Sequence, residues 1–485
     1  MFIALYIFLG LILLIAIHDL VQRKHAILRN FPVVGHLRYF IEKIGPELRQ
    51  YIVANNDEER PFSRDQRAWI YTSSKRRNNN FGFGTDNDLE LTSGYIIIKH
   101  SAFPFQPQVA DAPDHPIACL KVIGESRKRA KPFHPTSIVN VSAMSYGSLG
   151  SAAVEAINRG VKLAGAFQNT GEGGLSPYHL NGGDLILQIG TGYFGCRDAD
   201  GNFSLERLVD LVQKHPSVRA IEIKMSQGAK PGAGGILPAS KITPAIAEMR
   251  GIQMGKDCIS PSGHRAFVGV DGLLDFVESI AAATGLPVGI KSAVGQAAFW
   301  RELARQMATS DRGVDFITVD GGEGGTGAAP LVYADHVSLP FKIGFSRVHR
   351  IFEEQEIEKE IIFIGSGKLG FPEQAMVGFA LGCDLINVAR EAMLSIGCIQ
   401  AQKCHTNHCP AGVATTNAWF MRGLDPTLKS ARLANYLITL RMELEKVARS
   451  CGLDHPAKIG PEHIEILDDN FRSSPFKEVF SGEWR

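Results

Sequence analysis

The sequence predicts an α/β protein whose main body is a (β/α)8 TIM barrel, with an N-terminal transmembrane helix and cover segment before it and a helical extension after it. Three observations predict this arrangement. Eight short apolar runs alternate with helix-like stretches, glycine-rich loops follow several of these runs, and the first residues form an uncharged apolar segment. Barrels of this class carry their active sites at the carboxyl ends of the strands, so the loops after the strands are the predicted site.

The eight apolar runs are the predicted barrel strands. In chain order they cover residues 137–144, 165–169, 185–189, 220–225, 286–291, 316–319, 361–364 and 385–388. Short apolar runs separated by helical stretches are typical of βα units and a parallel sheet. Eight of them in this length of chain favour a closed barrel. An open doubly wound sheet is the alternative, because its strands are also continuous and apolar.

The N-terminal run, residues 1–17, contains no charged side chain and is followed at once by His18, Asp19, Arg23, Lys24 and Arg29. A helix of this length spans about 25 Å, slightly less than the roughly 30 Å of bilayer hydrocarbon, so either Leu20 and Val21 extend the span or the bilayer becomes thinner around it. The positive charges after it predict a single-pass membrane anchor with the catalytic domain in the cytoplasm. A buried N-terminal helix is the alternative interpretation.

Composition divides the chain into four segments. Residues 1–22 are the predicted transmembrane anchor, and the polar, basic residues 23–105 are a connector or cover segment with loops at 55–61 and 76–80. Residues 106–420 are the predicted barrel domain, and residues 421–485 are a helical tail. Within that tail we expect a helix over 430–450 and an irregular acidic end from Ile464 onward.

The overall composition limits the kind of partner. The 485 residues are 45% hydrophobic and 21% charged, which suits a large globular core. A formal net charge of +1 argues against nucleic-acid binding, which needs a strong basic excess. Eight scattered cysteines do not form a disulfide framework and indicate a reducing compartment.

Three of the cysteines form the most informative motif. Cys398, Cys404 and Cys409 have the spacing Cys-x5-Cys-x4-Cys, followed by Pro410. Close thiolates suit an iron–sulfur cluster, and the absence of a fourth nearby cysteine favours three irons. A zinc site completed by His405 or His408 and simple core packing are the alternatives. The eighth predicted strand ends shortly before Cys398, where an electron relay to the barrel site is useful, and this favours the cluster.

Two glycine-rich loops are candidate ligand sites. Residues 365–370 match the pattern G-x-G-x-x-G, but they follow the seventh strand, where barrels commonly bind a phosphate. Gly365 and Gly367 are therefore predicted to hold the phosphate of a flavin mononucleotide, and a merely tight turn is the alternative. Residues 228–235 contain Lys230, and with Arg250 that lysine could clamp carboxylates. A solvated pair at the rim is the alternative for these two cations.

Polar residues also follow the second, third, fifth and sixth predicted strands. Residues 169–174 and 320–327 place Glu172 and Glu323 among glycines, and both loops are expected to line the mouth of the barrel. Gln188 and Lys291 stand near strand ends, where they could bond the polar edge of a flavin ring. The lysine could equally pair with a carboxylate of the barrel.

Several motifs together resemble one known family. They are SAMSYG at 142–147, NTGEGG at 169–174, KMSQGAKPG at 224–232, GGTGA at 324–328, and CHTN at 404–407 with Cys409 and Pro410. Over residues 60–417 the chain is similar to the synthase domain of glutamate synthase. It most resembles the short, membrane-anchored FMN-binding glutamate synthase family proteins.

This resemblance implies a barrel that holds FMN and a [3Fe-4S] cluster and aminates 2-oxoglutarate reductively through 2-iminoglutarate. Cys398, Cys404 and Cys409 would bind the cluster. Lys230 and Arg250 would hold the 2-oxo acid, and Glu172 resembles the loop glutamate beside the flavin. The residues expected to bind FMN are Ser142, Met144, Ser145, Asn169, Gln188, Lys291, Gly324, Gly325, Gly365 and Gly367.

The chain departs from the family pattern in ways that affect the expected reaction. Ile236 stands where the family has a glutamine, and Ala233 where the loop usually has a glutamate. The N-terminus begins Met1-Phe2, without the nucleophilic cysteine of an amidotransferase domain, so ammonia is expected to be free or supplied by a partner. Electrons are expected from ferredoxin or from an NAD(P)H-oxidising protein. The alternatives are an enzyme for another imine or amine, such as an N-alkylglutamate, and a non-catalytic electron-transfer subunit.

Overall fold

The computed structural model describes residues 2–22, 25–53, 58–80, 82–85, 87–89, 92–108, 112, 114–468, 470 and 472–480, without the side chains of residues 26 and 51. These residues form two compact units, 1–68 and 69–485. Arg23, Lys24 and the first three residues of the loop predicted at 55–61 lie outside the described residues. The four-segment division given by composition stays a prediction.

The first unit is helical. Its elements are Phe2–Val21, Ala26–Asn30, Gly35–Leu48 and a wide helical turn at Arg49–Val53, and a further helix, Arg64–Ser74, begins within it. The helix Phe2–Val21 is long and apolar enough to cross a membrane, with a mean hydropathy of 2.4. It is therefore a candidate anchor.

The second unit contains a closed parallel barrel of eight strands. We label them β1 (Val139–Val141), β2 (Phe167–Asn169), β3 (Asp184–Ile189), β4 (Val218–Lys224), β5 (Val288–Ala293), β6 (Phe316–Asp320), β7 (Ile362–Ser366) and β8 (Leu385–Val388). Each predicted run overlaps one of these strands, with ends that differ by up to two residues in most cases, so the predicted barrel is confirmed. The open-sheet alternative is wrong, because β8 pairs with β1 through Ile386 and Val139.

Helices surround the barrel between successive strands. The longer ones are Ser151–Ala164, Leu205–Lys214, Gly269–Thr284, Ala298–Thr309, Phe341–Glu353 and Pro372–Ala380, and the shorter ones are Pro244–Arg250, Leu331–His336, Arg390–Ser395 and Ala418–Met421. Local sequence sets several of their ends. The hydroxyl of Ser204 accepts a hydrogen bond from the backbone N–H of Arg207, and Gly165 ends the first barrel helix with φ of +66°.

The C-terminal extension contains one long helix, Pro426–Ser450, which includes the predicted range 430–450. It lies against the first barrel helix: Arg441 Nη1 donates a 2.6 Å hydrogen bond to the carbonyl oxygen of Ala164. A Cβ at Gly160 would lie only 2.9 Å from the side chain of Leu433, so this close approach requires glycine. The extension therefore covers the outside of the barrel.

The expectation of an irregular end from Ile464 onward is wrong for its first part. Ile464–Leu467 forms a strand between Ile96–Ile98 and Ser473–Pro475 in an antiparallel sheet, and a short helix, Phe476–Val479, follows. Ile464 and Ile466 pair with isoleucines of the distant strand. This partner is 366 residues or more away in sequence, and local composition does not reveal it.

Candidate active site

A large open cavity lies at the carboxyl ends of the barrel strands, with a volume of about 1320 Å³ including the solvent at its mouth. Most of the predicted site residues are part of its wall: Ser142, Met144, Ser145, Glu172, Gln188, Lys230, Arg250, Lys291, Gly324, Gly325, Gly367 and Cys404. Asn169, Gly365, Cys398 and Cys409 are not part of the described wall. The barrel thus brings together side chains that are far apart in sequence, at the position where this fold carries its sites.

The centre of the barrel below this cavity holds a buried carboxylate, Glu222 on β4. It accepts hydrogen bonds from Asn169 Nδ2 (2.8 Å), Gln188 Nε2 (2.6 Å) and Thr318 Oγ1 (2.7 Å). Because the nitrogen of Gln188 is used here, the side-chain oxygen is the free end that can meet a ligand in the cavity. Asn169 therefore does not line the cavity, and it supports the site through its hydrogen bond to Glu222.

Glu172 and Lys224 form an ion pair on the wall, with 2.6 Å between Oε1 and Nζ. Burial favours the protonated form of Glu172, but the charges of Lys224, Lys230 and Arg250 outweigh it, and the pKa is lowered. The carboxylate is consequently ionised at neutral pH. Gly235 leaves it room, since a Cβ there would lie 2.6 Å from Oε1 of Glu172.

Lys230 extends from the glycine-rich loop after β4 and is almost fully buried, with 5% of its surface exposed. Its ammonium donates a 3.0 Å hydrogen bond to the carbonyl oxygen of Ala328, in the loop after β6. Burial and the nearby charge of Lys224 lower its pKa to about 8, although Glu172 acts in the opposite direction. Lys230 can therefore change protonation state near physiological pH.

Arg250 reaches the same cavity from the end of the helix Pro244–Arg250. Its Nη2 donates a 3.0 Å hydrogen bond to the carbonyl oxygen of Tyr146, and its guanidinium lies 5.1 Å from the ring centre of Phe194. Burial lowers its pKa, while Cys258 and Glu172 oppose that shift. Its buried Nε has no hydrogen-bond partner among the described residues, which leaves a donor for a ligand.

Next to Lys224 on the neighbouring strand, the cavity wall carries Lys291, whose ammonium lies 3.4 Å from the carboxylate of Asp320. The carboxylate of Asp320 also accepts hydrogen bonds from the N–H of Gly228 (3.0 Å) and from Ser366 Oγ (2.9 Å). The sequence left open whether Lys291 would bond a flavin or a barrel carboxylate. Lys291 lies on the cavity wall, where a flavin could reach it, and it also pairs with the carboxylate of Asp320.

The loops after β6, β7 and β8 could hold a phosphate. Arg390 and Lys368 line the cavity beside Gly325 and Gly367, and a Cβ at Gly325 would lie 2.7 Å from Cδ of Arg390. This cradle of small residues and cations suits a phosphate group. Gly365 lies in β7, where a Cβ would meet Cys383 Sγ at 2.8 Å, and it is thus placed for tight packing.

The cysteine segment lies beside this cavity. Cys398 and Cys404 are half-buried and Cys409 is buried. Lys241, which is 1% exposed, donates a 2.7 Å hydrogen bond to the carbonyl oxygen of Ser148 on the cavity wall. Burial lowers the pKa of Lys241 to about 8, and the nearby Cys404 and Cys409 oppose this shift. The ammonium of Lys241 therefore lies close enough to both thiols to interact with them electrostatically.

Hydrogen bonds fasten the cysteine segment to neighbouring loops. Asn407 Nδ2 donates to the carbonyl oxygen of Ser240 (2.5 Å), and its Oδ1 accepts from the N–H of Thr416 (2.8 Å). At the start of the segment, the phenol of Tyr71 donates a hydrogen bond to the carbonyl oxygen of Cys398 (2.7 Å). The segment is therefore held at both ends.

The geometry bears on which metal this segment could hold. In the described ranges, no group of three or more His, Cys, Asp or Glu side chains is arranged to bind a metal ion. Nδ1 of His408 is hydrogen-bonded to the carbonyl oxygen of Thr406 at 2.7 Å. A zinc site needs ligands that converge on one ion, and a three-iron cluster would take one thiolate for each iron. Cys409 is buried as core packing requires, whereas Cys398 and Cys404 are only half-buried.

Comparison with known proteins identifies the family. Residues 116–454 match the conserved region in glutamate synthase. The chain belongs to the glutamate synthase family. The resemblance inferred from its motifs is thereby confirmed.

Relatives within the glutamate synthase family differ in how much of their length this chain covers. It is 39% identical to the glutamate synthase large subunit-like protein YerD of Bacillus subtilis, over 93% of this chain and 91% of YerD. It is 34% identical to the archaeal glutamate synthase [NADPH] of Methanocaldococcus jannaschii, over 65% of this chain and 59% of that protein. Among solved structures, the flavin-binding domain of baker's yeast flavocytochrome b2 is 14% identical with a TM-score of 0.45, over 86% of this chain and 84% of the domain.

Four further residues of this glutamate synthase family site were not predicted: Glu222, Lys224, Lys241 and Arg390. Glu222 offered a signal, since a single carboxylate within the apolar strand β4 requires buried donors. Lys224 likewise stands at the carboxyl end of that strand. Lys241 and Arg390 gave no local signal, because loop positions in sequence do not reveal which loops meet.

Proposed function

We propose that this chain is a glutamate synthase-type oxidoreductase that uses FMN and a [3Fe-4S] cluster to aminate 2-oxoglutarate, or a related 2-oxo acid, reductively. The observation that carries the proposal is the single cavity that collects Lys230, Arg250 and the Glu172–Lys224 pair at the carboxyl ends of the strands. Family membership supports the same reaction class.

The charges of the cavity favour a substrate with two carboxylates. Lys230 and Arg250 are both about 95% buried, and Glu172 already neutralises one of the three cations around it. Two buried positive charges without a matching anion are stabilised when carboxylates bind. Arg250 would bind one carboxylate through two parallel hydrogen bonds and Lys230 the other as a point charge, which fixes the 2-oxo carbon between them.

The residues around the cavity fit FMN. Gln188 and Lys291 would meet the polar edge of the ring, and Arg390, Lys368, Gly325 and Gly367 would hold the phosphate. When bound, FMN supplies a hydride to an imine carbon, and a cluster bound by Cys398, Cys404 and Cys409 supplies single electrons to the flavin. The protein's own contribution is to orient the acid and to exclude water from the buried pair Glu172–Lys224.

The reaction balances with an external electron donor. The 2-oxo acid condenses with ammonia and releases water to form an imine, which takes up two electrons and two protons to become the amino acid. Ferredoxin or an NAD(P)H-oxidising protein would supply the electrons, and ammonia would be free or delivered by a partner.

Anaerobic purification provides the direct test. The protein should carry flavin, iron and labile sulfide, and stopped-flow mixing of the reduced protein with 2-oxoglutarate and ammonia should reoxidise the flavin. Omission of ammonia is the matched control and should leave the flavin reduced. Protein that contained neither flavin nor iron with sulfide would rule the proposal out.

A second candidate keeps the cofactors and changes the substrate to another imine or amine, such as an N-alkylglutamate. Ile236 and Leu237 favour it, because both line the cavity with apolar surface. Flavin reduction by an N-alkylglutamate, with no flavin reoxidation by 2-oxoglutarate and ammonia, would select this candidate. Ile236→Gln should then shift kcat/KM toward 2-oxoglutarate.

A third candidate is an electron-transfer subunit whose barrel does no chemistry of its own. In that case Lys230→Ala would leave electron transfer to a partner intact. The enzyme proposals instead require a large loss of kcat/KM in this variant, with no change in flavin content.

We also propose that Phe2–Val21 anchors the protein in the membrane, with the barrel in the cytoplasm. The uncharged run 2–17 of this helix and the basic residues Arg23, Lys24 and Arg29 after the helix support this topology. The full chain should resist extraction by alkaline carbonate, and external protease should not cleave the barrel in intact cells. Recovery in the soluble fraction would contradict the anchor.

A further inference from the structure

The helix Gly35–Leu48 has an apolar face that the described residues of the first unit leave uncovered. Leu37, Phe40, Ile41, Ile44 and Leu48 share one side of this helix, as their spacing requires. Leu37 is 57% exposed, Phe40 57% and Ile41 51%. Exposed apolar rows of this kind mark a binding surface.

The other side of the same helix is packed within the first unit. Gly35 is buried, and a Cβ there would lie 3.0 Å from Cδ2 of Leu28. The ring of Tyr39 contacts His25 edge-on, with 5.4 Å between ring centres. The polar side of the helix is therefore the side that packs, and its apolar side faces outward. A helix in the core of a soluble protein has the opposite arrangement.

A buried carboxylate ties this helix to the candidate anchor. Asp19, in the last turn of Phe2–Val21, accepts a 2.9 Å hydrogen bond from the N–H of Val33 and lies 3.0 Å from Nε2 of His36. The start of the helix is thus held at the end of the apolar span. In a membrane that end lies among the lipid headgroups, and the apolar face starts at the same depth.

Charged residues border the apolar face. Arg38 and Lys43 are exposed on either side of it, and Glu42 lies on the far side of the helix. One carboxylate, Glu47, lies between Lys43 and the apolar face. Apolar side chains flanked by lysine and arginine are the pattern of helices that lie in the interface of anionic bilayers.

We propose that the helix Gly35–Leu48 lies in the membrane interface and buries Leu37, Phe40 and Ile41 among anionic lipids. The occupant of this surface is thus the bilayer itself. Together with the proposed span, on which this inference rests, the helix gives the chain a second membrane contact. Two contacts joined by Asp19 would hold the N-terminal unit in one orientation on the membrane.

A photo-crosslinking amino acid can locate the helix in the full-length chain. p-Benzoylphenylalanine would be introduced at Ile41, at Glu42 as the matched position on the other face, and at Leu11 inside the span. Each protein would be reconstituted in vesicles of phosphatidylethanolamine and phosphatidylglycerol, irradiated and analysed by mass spectrometry. We expect lipid adducts at Leu11 and Ile41 and several-fold fewer at Glu42.

Each other outcome has a defined meaning. Lipid adducts at Leu11 with none at Ile41 would overturn the interfacial helix and leave the anchor in place. No lipid adduct at Leu11 would remove the anchor, on which this inference depends. Crosslinks from Ile41 to a second copy of the chain, or to another part of the same chain, would assign the face to protein and overturn the proposal.

A charge variant tests the lipid preference without altering the apolar face. Arg38→Gln combined with Lys43→Gln should reduce the Ile41 lipid adduct several-fold in anionic vesicles and leave the Leu11 adduct unchanged. An unchanged adduct at Ile41 in this variant would overturn the role of anionic lipid. Enzyme activity in detergent should not change, because neither residue contributes to the cavity.

Discussion

The ammonium of Lys224 lies 2.6 Å from the carboxylate of Glu172 on the wall of the cavity. Lys230 and Arg250 are close enough to lower the pKa of the same carboxylate. One buried anion is therefore shared by three cations, and the cavity keeps a net positive charge. Such a site attracts an anionic substrate, and the protonation of Lys230 depends on its neighbours.

Lys230 should set the alkaline limit of activity. Its pKa of about 8 means that the ammonium, which binds a carboxylate, is lost as the pH rises through 8. We expect kcat/KM for the 2-oxo acid to fall by up to about tenfold per pH unit above that value. Steady-state kinetics from pH 6 to 10, at a constant concentration of free ammonia, would measure the profile.

Lys230→Arg is the matched control for this pH profile. Its guanidinium stays charged across the whole range, so the decrease above pH 8 should disappear even if the overall rate is lower. Lys230→Met should be slow at every pH. A wild-type profile in Lys230→Arg would show that another group is responsible for the alkaline limit.

Replacing Glu172 should move that limit. The Glu172 carboxylate raises the pKa of Lys230 against the effects of burial and of Lys224. Glu172→Gln removes this charge and keeps the shape, so the decrease in kcat/KM should begin at a lower pH than in the wild type. The same pH series tests it, with Glu248→Gln on the exposed surface as the control. If the decrease in kcat/KM began at a higher pH in Glu172→Gln, the proposed effect of Glu172 on the pKa of Lys230 would be contradicted.

Glu222 should control FMN binding without touching the ligand. Glu222→Leu leaves the buried donors of Asn169, Gln188 and Thr318 without their acceptor, at a cost of about 1–3 kcal/mol for each group. Gln188 is then free to turn, and the Kd for FMN should rise by at least about tenfold, since 1.4 kcal/mol corresponds to that factor. Fluorescence titration of the apoprotein with FMN would measure it.

Glu222→Gln is the control for the FMN experiment. It keeps one acceptor oxygen for the two amides, and the hydroxyl of Thr318 can reverse its hydrogen bond. We expect near-wild-type FMN affinity and a near-wild-type melting temperature for Glu222→Gln, whereas Glu222→Leu should melt at a lower temperature and is titrated below it. Equal FMN affinity in Glu222→Leu and the wild type would refute the supporting role.

The three clustered cysteines should be needed for iron and dispensable for flavin. Cys398→Ser, Cys404→Ser and Cys409→Ser should each lower iron and labile sulfide severalfold, while FMN content stays at the wild-type level. Cys451→Ser, at the end of the long C-terminal helix, is the matched control and should keep both cofactors. One zinc per chain in place of iron would contradict the proposed cluster.

The barrel could be predicted because its signals are local. Each strand is a short apolar run that ends in a glycine-rich or polar turn, and each of the eight predicted runs overlaps an observed strand. The long C-terminal helix was predicted from a continuous helical pattern for the same reason. The strand Ile464–Leu467 was missed, because its partner lies at the other end of the chain.

The site was predicted only in part, and the difference has a physical cause. Loop residues such as Lys230 and Glu172 stand in motifs that can be recognised from the sequence. The bond from Asn169 to Glu222 joins residues 53 positions apart, and that from Lys224 to Glu172 joins residues 52 apart. No local pattern specifies such pairs.

The sequence by itself therefore determined the barrel, the candidate anchor, the cysteine motif and most of the side chains of the cavity. Only the tertiary structure decided which charges meet: Lys224 neutralises Glu172, Lys241 approaches Cys404 and Cys409, and Glu222 orients Gln188. Strands and helices follow from the preferences of neighbouring residues. Electrostatic and hydrogen-bond partners follow from barrel closure, which brings side chains from different strands and loops within hydrogen-bonding distance and buries them together.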